Sequence, residues 1–256
     1  MQLLSATIIT RNEEANIERC LNALHGVADE IVVVDSYSTD RTADICHRYG
    51  CRVSSREFRG FGPQRQYAAG LTAHSYVLSI DADEVLDEEL RDALIRLKND
   101  GFGHRVYTVE VINYICGRPV RHSGLSPRRH IRLFNKRYAN WDMRGEGDSV
   151  GCPDGVTPYP LPGSVHHYRC SSLDEFHRKE NRIASLRARE LAAAGRSIGP
   201  LQPRLRGLWQ YMRCHLMDYA WLDGPTGNAI AMRRYKTTLE AYRLARRLLA
   251  EGAHDL

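Results

Sequence analysis

Three short apolar runs, at residues 6–9, 31–34 and 76–80, constrain this chain most, because each breaks directly into polar and acidic residues. The run Ile31-Val32-Val33-Val34 is β-branched throughout, as suits a parallel strand covered on both faces. The stretches between the runs carry helical signals. Ile17, Leu21 and Leu24 precede Gly26, a second helix ends near Gly50, and a third follows Pro63 over residues 64–73. Residues 51–54 read as a further short strand. Strand, polar loop and helix in repetition predict an α/β fold whose Rossmann-like, mostly parallel central sheet is flanked by helices with right-handed crossovers. That topology sets Asn12, Glu13, Asp35 and Asp81 along one carboxyl edge, where open α/β sheets bind ligands.

At that edge Asp81-Ala82-Asp83-Glu84 gathers three carboxylates. Acids two residues apart at a strand end can both face the crevice, and left unpaired they would repel one another. A hard divalent cation with oxygen ligands is the natural partner, and a diphosphate is what such a cation usually carries. The bland alternative is a helix-capping acidic turn, since Asp87, Glu88 and Glu89 continue the run. Glu84 is expected to turn away toward that helix. Asn12 suits a cap of the first helix, and Ser38 or Thr39 a cap of the second, roles that do not exclude ligand contact. Asp35 is harder to explain structurally, because a carboxylate closing a β-branched run gains little unless it serves a site.

After a helix over residues 87–99 the crossovers stop. Residues 105–115, 131–134 and 165–168 read as strands and 117–129 as a basic loop rich in Gly and Pro, so this half is expected to be mixed or antiparallel. Ser172-Leu173-Asp174-Glu175 is a capping box that opens a long helix, and helix continues from residue 201 onward. The expected division is a catalytic domain over 1–170, with halves 1–100 and 101–170, and a C-terminal helical extension over 171–256. Seven scattered cysteines without a C-x-x-C pair argue for reduced thiols in a cytoplasmic setting and against structural zinc. The chain shows no basic leader and no apolar run long enough to span a bilayer. Its formal charge of +5 is uneven, acidic in the first third and arginine-dense after Arg118. An anionic partner is expected for the later part, and no nucleic acid.

Three segments taken together, Ile8-Ile9-Thr10-Arg11-Asn12-Glu13-Glu14, residues 31–42 and Leu78-Ser79-Ile80-Asp81-Ala82-Asp83-Glu84, resemble family 2 inverting glycosyltransferases of the GT-A fold. The likeness is greatest to bacterial lipopolysaccharide-core glucosyltransferases, which share a stretch like Gly60-Phe61-Gly62-Pro63-Gln64-Arg65 and an Arg132-Leu133-Phe134 segment. The resemblance implies a UDP-sugar donor and a glycan or glycolipid acceptor. By this analogy Thr10 and Glu13 contact the nucleotide, and Asn12 and Ser38 lie in the same nucleotide-binding segments. Asp35 accepts a hydrogen bond from the uracil imide, and Arg65 lies near the donor phosphates. Asp83 binds Mn2+ or Mg2+ directly, while Asp81 contacts ribose or a metal-bound water. The cation neutralises the departing diphosphate.

An inverting transfer also needs a base for the acceptor hydroxyl. In the subgroup a Val-His-Glu segment supplies it. The matching stretch here, residues 144–150, lacks the His and offers Asp148 or Glu146, with Asp148 favoured by alignment on Val150. A polar Gly-rich turn is the structural alternative. His167-Tyr168 resembles a His-Tyr pair of the subgroup, so His167 would reach the metal or a donor phosphate, although a strand-end His is often a core residue. Arg128, Arg129 and Arg132 suit phosphate geometry, Arg132 best because it belongs to a matching motif.

Met232, Tyr235, Leu239, Tyr242, Ala245 and Leu249 recur at helical spacing among arginines, a basic amphipathic helix that could lie on an anionic cytoplasmic leaflet or pack against the catalytic domain. The expected activity is metal-dependent, inverting transfer of a hexose to a hydroxyl of a bacterial surface glycan or glycolipid precursor, in the cytoplasm or peripherally on the inner membrane face. Its rivals are a polyprenyl-phosphate glycosyltransferase and a non-catalytic nucleotide-sugar-binding protein.

Overall fold

The computed structural model describes residues 2–125, 127–141, 149–195 and 198–251. It divides into two compact units, Met1–Ile112 with Arg128–His167, and Asn113–Pro127 with Tyr168–Leu256. In the first unit β1 (Leu4–Thr10), β2 (Glu30–Asp35), β3 (Arg52–Ser55) and β4 (Tyr76–Asp81) run parallel in the order β3-β2-β1-β4. The helices α1 (Ile17–Leu24), α2 (Thr42–Arg48) and α3 (Phe61–Leu71) connect them. Val32, Val33 and Val34 are wholly buried because both faces of β2 are covered. Each such side chain stabilises the fold by roughly 1.5–3 kcal/mol. Thr10 lies opposite Asp35 and Ile9 opposite Asp81, so three strand ends stand level at the carboxyl edge.

Past β4 the sheet turns mixed, as the loss of helical crossovers predicts. After β5 (Glu84–Leu86), α4 (Glu88–Asp100) and β6 (Val106–Ile115) comes β7 (Arg118–Val120), which belongs to the second unit. In the first unit β6 pairs antiparallel with β8 (Arg128–Asn135), and β8 antiparallel with β4. The short strands β9 (Asn140–Trp141) and β10 (Val150–Gly151) pair with each other, and β11 (Tyr159–Cys170) pairs antiparallel with β5. Asp87 caps α4 by accepting from the Leu90 backbone N–H at 2.8 Å, and its other oxygen takes the Ser164 N–H at 2.8 Å and hydroxyl at 2.7 Å. Gly163 makes this joint possible. Its φ is +75°, and a Cβ there would stand 2.3 Å from the Leu90 nitrogen.

The second unit is mainly helical: α5 (Leu173–Ala193), α6 (Gln202–Met212), a π-helical turn Arg213–Met217, a 3-10 turn Ala220–Asp223, and α7 (Gly224–Ala250). The Ser172 hydroxyl caps α5, accepting from the Glu175 N–H at 3.2 Å. The basic loop after β6 is tied down by Asp223, whose carboxylate accepts from the His122 N–H at 3.0 Å and the Ser123 hydroxyl at 2.8 Å. The amphipathic stripe read in α7 needs correcting. Ile230, Thr237, Ala241 and Ala245 form its buried face, and Arg233 is buried against Asn181. Of the expected stripe only Ala245 is fully covered, while Tyr235, Leu239, Tyr242 and Leu249 are half-buried and Met232 is exposed. The physical reason is that α7 packs on both α5 and α6, and small residues let two helices approach on one side. Among the described residues no helix is long and apolar enough to cross a membrane.

Candidate active site

At the end of β1 and β2 the carboxylate of Asp35 braces the loop that follows it. Asp35 is buried and accepts from the Ser38 N–H at 2.9 Å and the Ser38 hydroxyl at 2.5 Å. The Ser38 hydroxyl in turn accepts from the Asn12 N–H at 2.9 Å, and the Asn12 side chain accepts from the Thr39 N–H at 2.8 Å. Asn12 therefore cross-links two strand-end loops and does not cap α1, whose N-cap is Asn16. Asn12 and Tyr37 hold left-handed φ values of 55° and 57°, and backbone of this kind clusters at functional loops. The Glu13 N–H donates to Thr42 Oγ1 at 2.8 Å, and the Glu13 carboxylate accepts from Asn16 Nδ2 at 2.8 Å. Thr10 is buried beneath this lattice and Tyr37 stands exposed above it. The structure thus brings Thr10, Asn12, Glu13, Asp35 and Ser38 together at one edge.

At the end of β4 the Asp81-Ala82-Asp83-Glu84 turn holds a buried charge network. Arg65, on α3, donates to Asp81 through Nη2 at 2.8 Å and 2.7 Å and through Nε at 3.2 Å. Its guanidinium also lies over the rings of Trp141 and Phe61, at 4.9 Å and 5.5 Å. Arg132, on β8, pairs with the wholly buried Glu84 and lies 4.0 Å from Asp81. Glu84 does not turn away toward the helix. It folds inward, where its other oxygen accepts the Asp81 N–H at 2.9 Å and so fixes the turn. Sequence reading missed this because a third acid in an acidic run looks like part of the helix start, and Arg132, its partner, is far along the chain. Asp83 keeps a different neighbour: His167 Nε2 stands 3.2 Å from its Oδ2, and His167 Nδ1 is 3.9 Å from Glu84. The register of β11 on β5, with His167 opposite Glu84, makes this meeting possible.

The electrostatics follow from burial against charge. Burial works to raise Asp81, but Arg65 and then Arg132 outweigh it and hold its carboxyl down to about 2. Burial pushes Glu84 up and works to lower Arg132, but the carboxylates beside Arg132 raise it, so the guanidinium stays charged. Burial likewise works against the His167 imidazolium, yet Asp83, Glu84 and Asp81 hold its pKa above the ordinary value. The surroundings of His167 and Asp83 therefore favour positive charge. Arg132 Nε is buried without a hydrogen-bond partner among the described residues. No three His, Cys, Asp or Glu side chains converge as a metal cage among those residues.

Asp81 has a folded pKa below its ordinary 3.8, so its contribution to stability is present above about pH 4 and lost as pH falls through about 2. It is expected to be about 2 kcal/mol. Urea unfolding from pH 6 to pH 2 should show this as a downward slope that Asp81→Asn flattens, and an unchanged slope would refute it.

Arg65 and Arg132 are thus bonded to carboxylates of the turn, and Asp81 is the bidentate partner of Arg65. Arg129 donates to the Leu161 carbonyl at 2.5 Å. The two candidate bases, Glu146 and Asp148, lie at 142–148, outside the described residues.

Known glycosyltransferases are similar to this chain over most of its length. The chain is 31% identical over 242 residues to the lipopolysaccharide core biosynthesis glycosyltransferase LpsC of Rhizobium meliloti, covering 90% of this chain and 86% of that one. It is 29% identical over 236 residues to an uncharacterized glycosyltransferase of Rickettsia typhi, covering 89% and 81%. Among solved structures, glucosyl-3-phosphoglycerate synthase of Mycobacterium tuberculosis with Mn2+, UDP and glucosyl-3-phosphoglycerate aligns at 22% identity over 72% of this chain and 78% of that one, with a TM-score of 0.46. S. aureus TarS 1-349 in complex with UDP-GlcNAc aligns at 14% identity over 98% and 92%, with a TM-score of 0.44. The family model described as glycosyl transferase family 2 matches residues 5–155, a span that takes in all three level strand ends, the Arg65 and Arg132 partners and the segment of the candidate bases. With that match laid over a parallel sheet whose carboxyl edge carries the Asp81-Ala82-Asp83 turn, the chain belongs to glycosyl transferase family 2 and has the GT-A fold.

Proposed function

We propose that this enzyme transfers a hexose from a UDP-sugar, with inversion and with Mn2+ or Mg2+, to a hydroxyl of a bacterial surface glycan or glycolipid precursor at the cytoplasmic face of the membrane. One observation carries the reading. Asp81 is neutralised by Arg65 and Glu84 by Arg132, so Asp83, with His167 beside it, is the carboxylate of the turn left to meet a cation. Asp83 offers a carboxylate oxygen, a sparse set that suits Mg2+ or Mn2+ bound through one carboxylate plus substrate phosphates, with His167 beside it. The field that favours a proton on His167 would equally favour such a cation. A cation held there would offset the charge developing on the diphosphate.

The protein's own residues supply the rest. The loops braced by Asp35, Ser38 and Asn12 would receive the nucleotide beside Thr10 and Glu13. Arg132 stays charged while its Nη2 holds Glu84, so it would add positive field near a donor phosphate. The transfer itself is a single displacement. The acceptor oxygen forms its bond to the anomeric carbon as the bond to diphosphate breaks, and Asp148, or Glu146, takes the hydroxyl proton. The relation to a lipopolysaccharide core glycosyltransferase supports a surface-glycan acceptor.

The test combines calorimetry and turnover. UDP is expected to bind in the presence of Mn2+ and not after chelation, and absence of metal-dependent binding would sink the donor site. Asp148→Asn or Glu146→Gln is expected to slow UDP-sugar-dependent transfer by about 10²–10⁴-fold with UDP binding unchanged. If neither slows transfer, the base lies elsewhere.

A further inference from the structure

The outward face of α6 is apolar where packing gives it no reason to be. Leu201, Leu205, Leu208, Trp209, Met212 and Leu216 follow a spacing of four, three, one, three and four residues, one stripe of a helix, and every one is between 40 and 64% exposed. The opposite face is the packed one. Pro203, Gly207 and Cys214 are buried, and a Cβ added at Gly207 would stand 3.0 Å from the Tyr235 ring of α7. Met217, Trp221 and Leu222 in the turns that follow are also more than half exposed.

The charge of the segment is one-sided as well. From residue 191 to 217 the sequence has Arg196, Arg204, Arg206 and Arg213 and no Asp or Glu. Arg204 and Arg206 are exposed and flank the stripe on its two sides, and Arg213 is exposed with its guanidinium 3.8 Å from Asp218. Leucine, methionine and tryptophan in a stripe bordered by arginine match the two parts of an anionic bilayer surface, acyl chains below and phosphate headgroups beside. A second copy of the chain would bring the same positive charge against itself.

We infer that this face of α6, with the turns after it, docks on an anionic lipid bilayer. The inference rests on the proposed lipid-linked or surface-glycan acceptor only for its purpose, because the surface is defined by its own exposure and charge. It also moves the membrane contact away from α7, whose apolar positions are largely engaged with α5 and α6.

Flotation of the full chain with vesicles tests it. Binding to phosphatidylglycerol-containing vesicles is expected to exceed binding to phosphatidylcholine vesicles by about tenfold, with a blue shift of tryptophan emission from Trp209 and Trp221. Leu205→Glu with Trp209→Glu should lose about tenfold in binding with an unchanged circular dichroism spectrum, since both side chains are more than half exposed. Arg243→Gln, Arg246→Gln and Arg247→Gln together, on α7, should lose less than the α6 pair. The inference is overturned if wild type ignores anionic vesicles, if the α6 pair binds as well as wild type, or if the α7 set alone abolishes binding. A dimer in solution that the α6 pair splits, without vesicle binding, would overturn it in favour of a second copy. Transfer to a soluble acceptor, measured in parallel, separates the two readings, since loss of docking with transfer intact leaves the proposed chemistry standing.

Discussion

Replacing Asp83 by Asn is expected to lower the rate of sugar transfer by at least about 10³-fold, roughly 4 kcal/mol of transition-state stabilisation. Asn keeps the shape and can still bond His167, so the change isolates the charge. That charge matters because the other two carboxylates of the turn are answered by guanidinium groups within the fold. The thermal midpoint should move by only a few degrees, since the hydrogen bond between Asp83 and His167 can be kept by Asn. A second readout ties the effect to electrostatics. The His167 imidazole, held above its ordinary pKa chiefly by Asp83 against the opposing effect of burial, should titrate at lower pH in the variant, as proton NMR would show. Transfer within tenfold of wild type would remove Asp83 from the site.

Arg132→Met should have the largest effect on stability, about 3–5 kcal/mol, because it strands the wholly buried Glu84 carboxylate. Glu84→Gln in the same background should recover much of this. Gln can still accept the Asp81 N–H and carries no charge to bury. Urea denaturation of the wild type, both single variants and the double variant gives the coupling, expected to exceed about 2 kcal/mol. The sign of the pH dependence is fixed too. Burial raises the Glu84 pKa and Arg132 opposes it, so without Arg132 protonation relieves the stranded charge and the deficit of Arg132→Met should shrink as pH falls from 7.5 toward 5. Additive effects, or a cost below about 1 kcal/mol for Arg132→Met, would show that the pair is not a buried unit.

Much of this was legible in the residues themselves. The β-branched run at 31–34, the polar breaks after each strand and the helical spacing between them were sufficient for a parallel sheet, and the level ends Thr10, Asp35 and Asp81 follow from its register. Periodicity is a local property, and strands that alternate with helices have few topologies open to them. The pairs Asp81 with Arg65, Glu84 with Arg132 and Asp83 with His167 are long-range, and no spacing rule joins residues 16, 48 or 84 positions apart. The same limit applied to α7. Helical spacing marks an apolar face but cannot tell which neighbour covers it, so the sequence leaves the α7 stripe open between membrane and packing, and packing on α5 and α6 is what the structure shows.

What the sequence by itself determined is the sheet, its functional edge and the acids placed on it, because these depend on local pattern and on a topology with little freedom. Only the tertiary structure decided which partner each of those acids meets, a guanidinium for Asp81 and Glu84 and an imidazole for Asp83. Burial sets the cost of each charge and folding brings up the guanidinium that offsets it, and both depend on contacts between segments far apart in the chain.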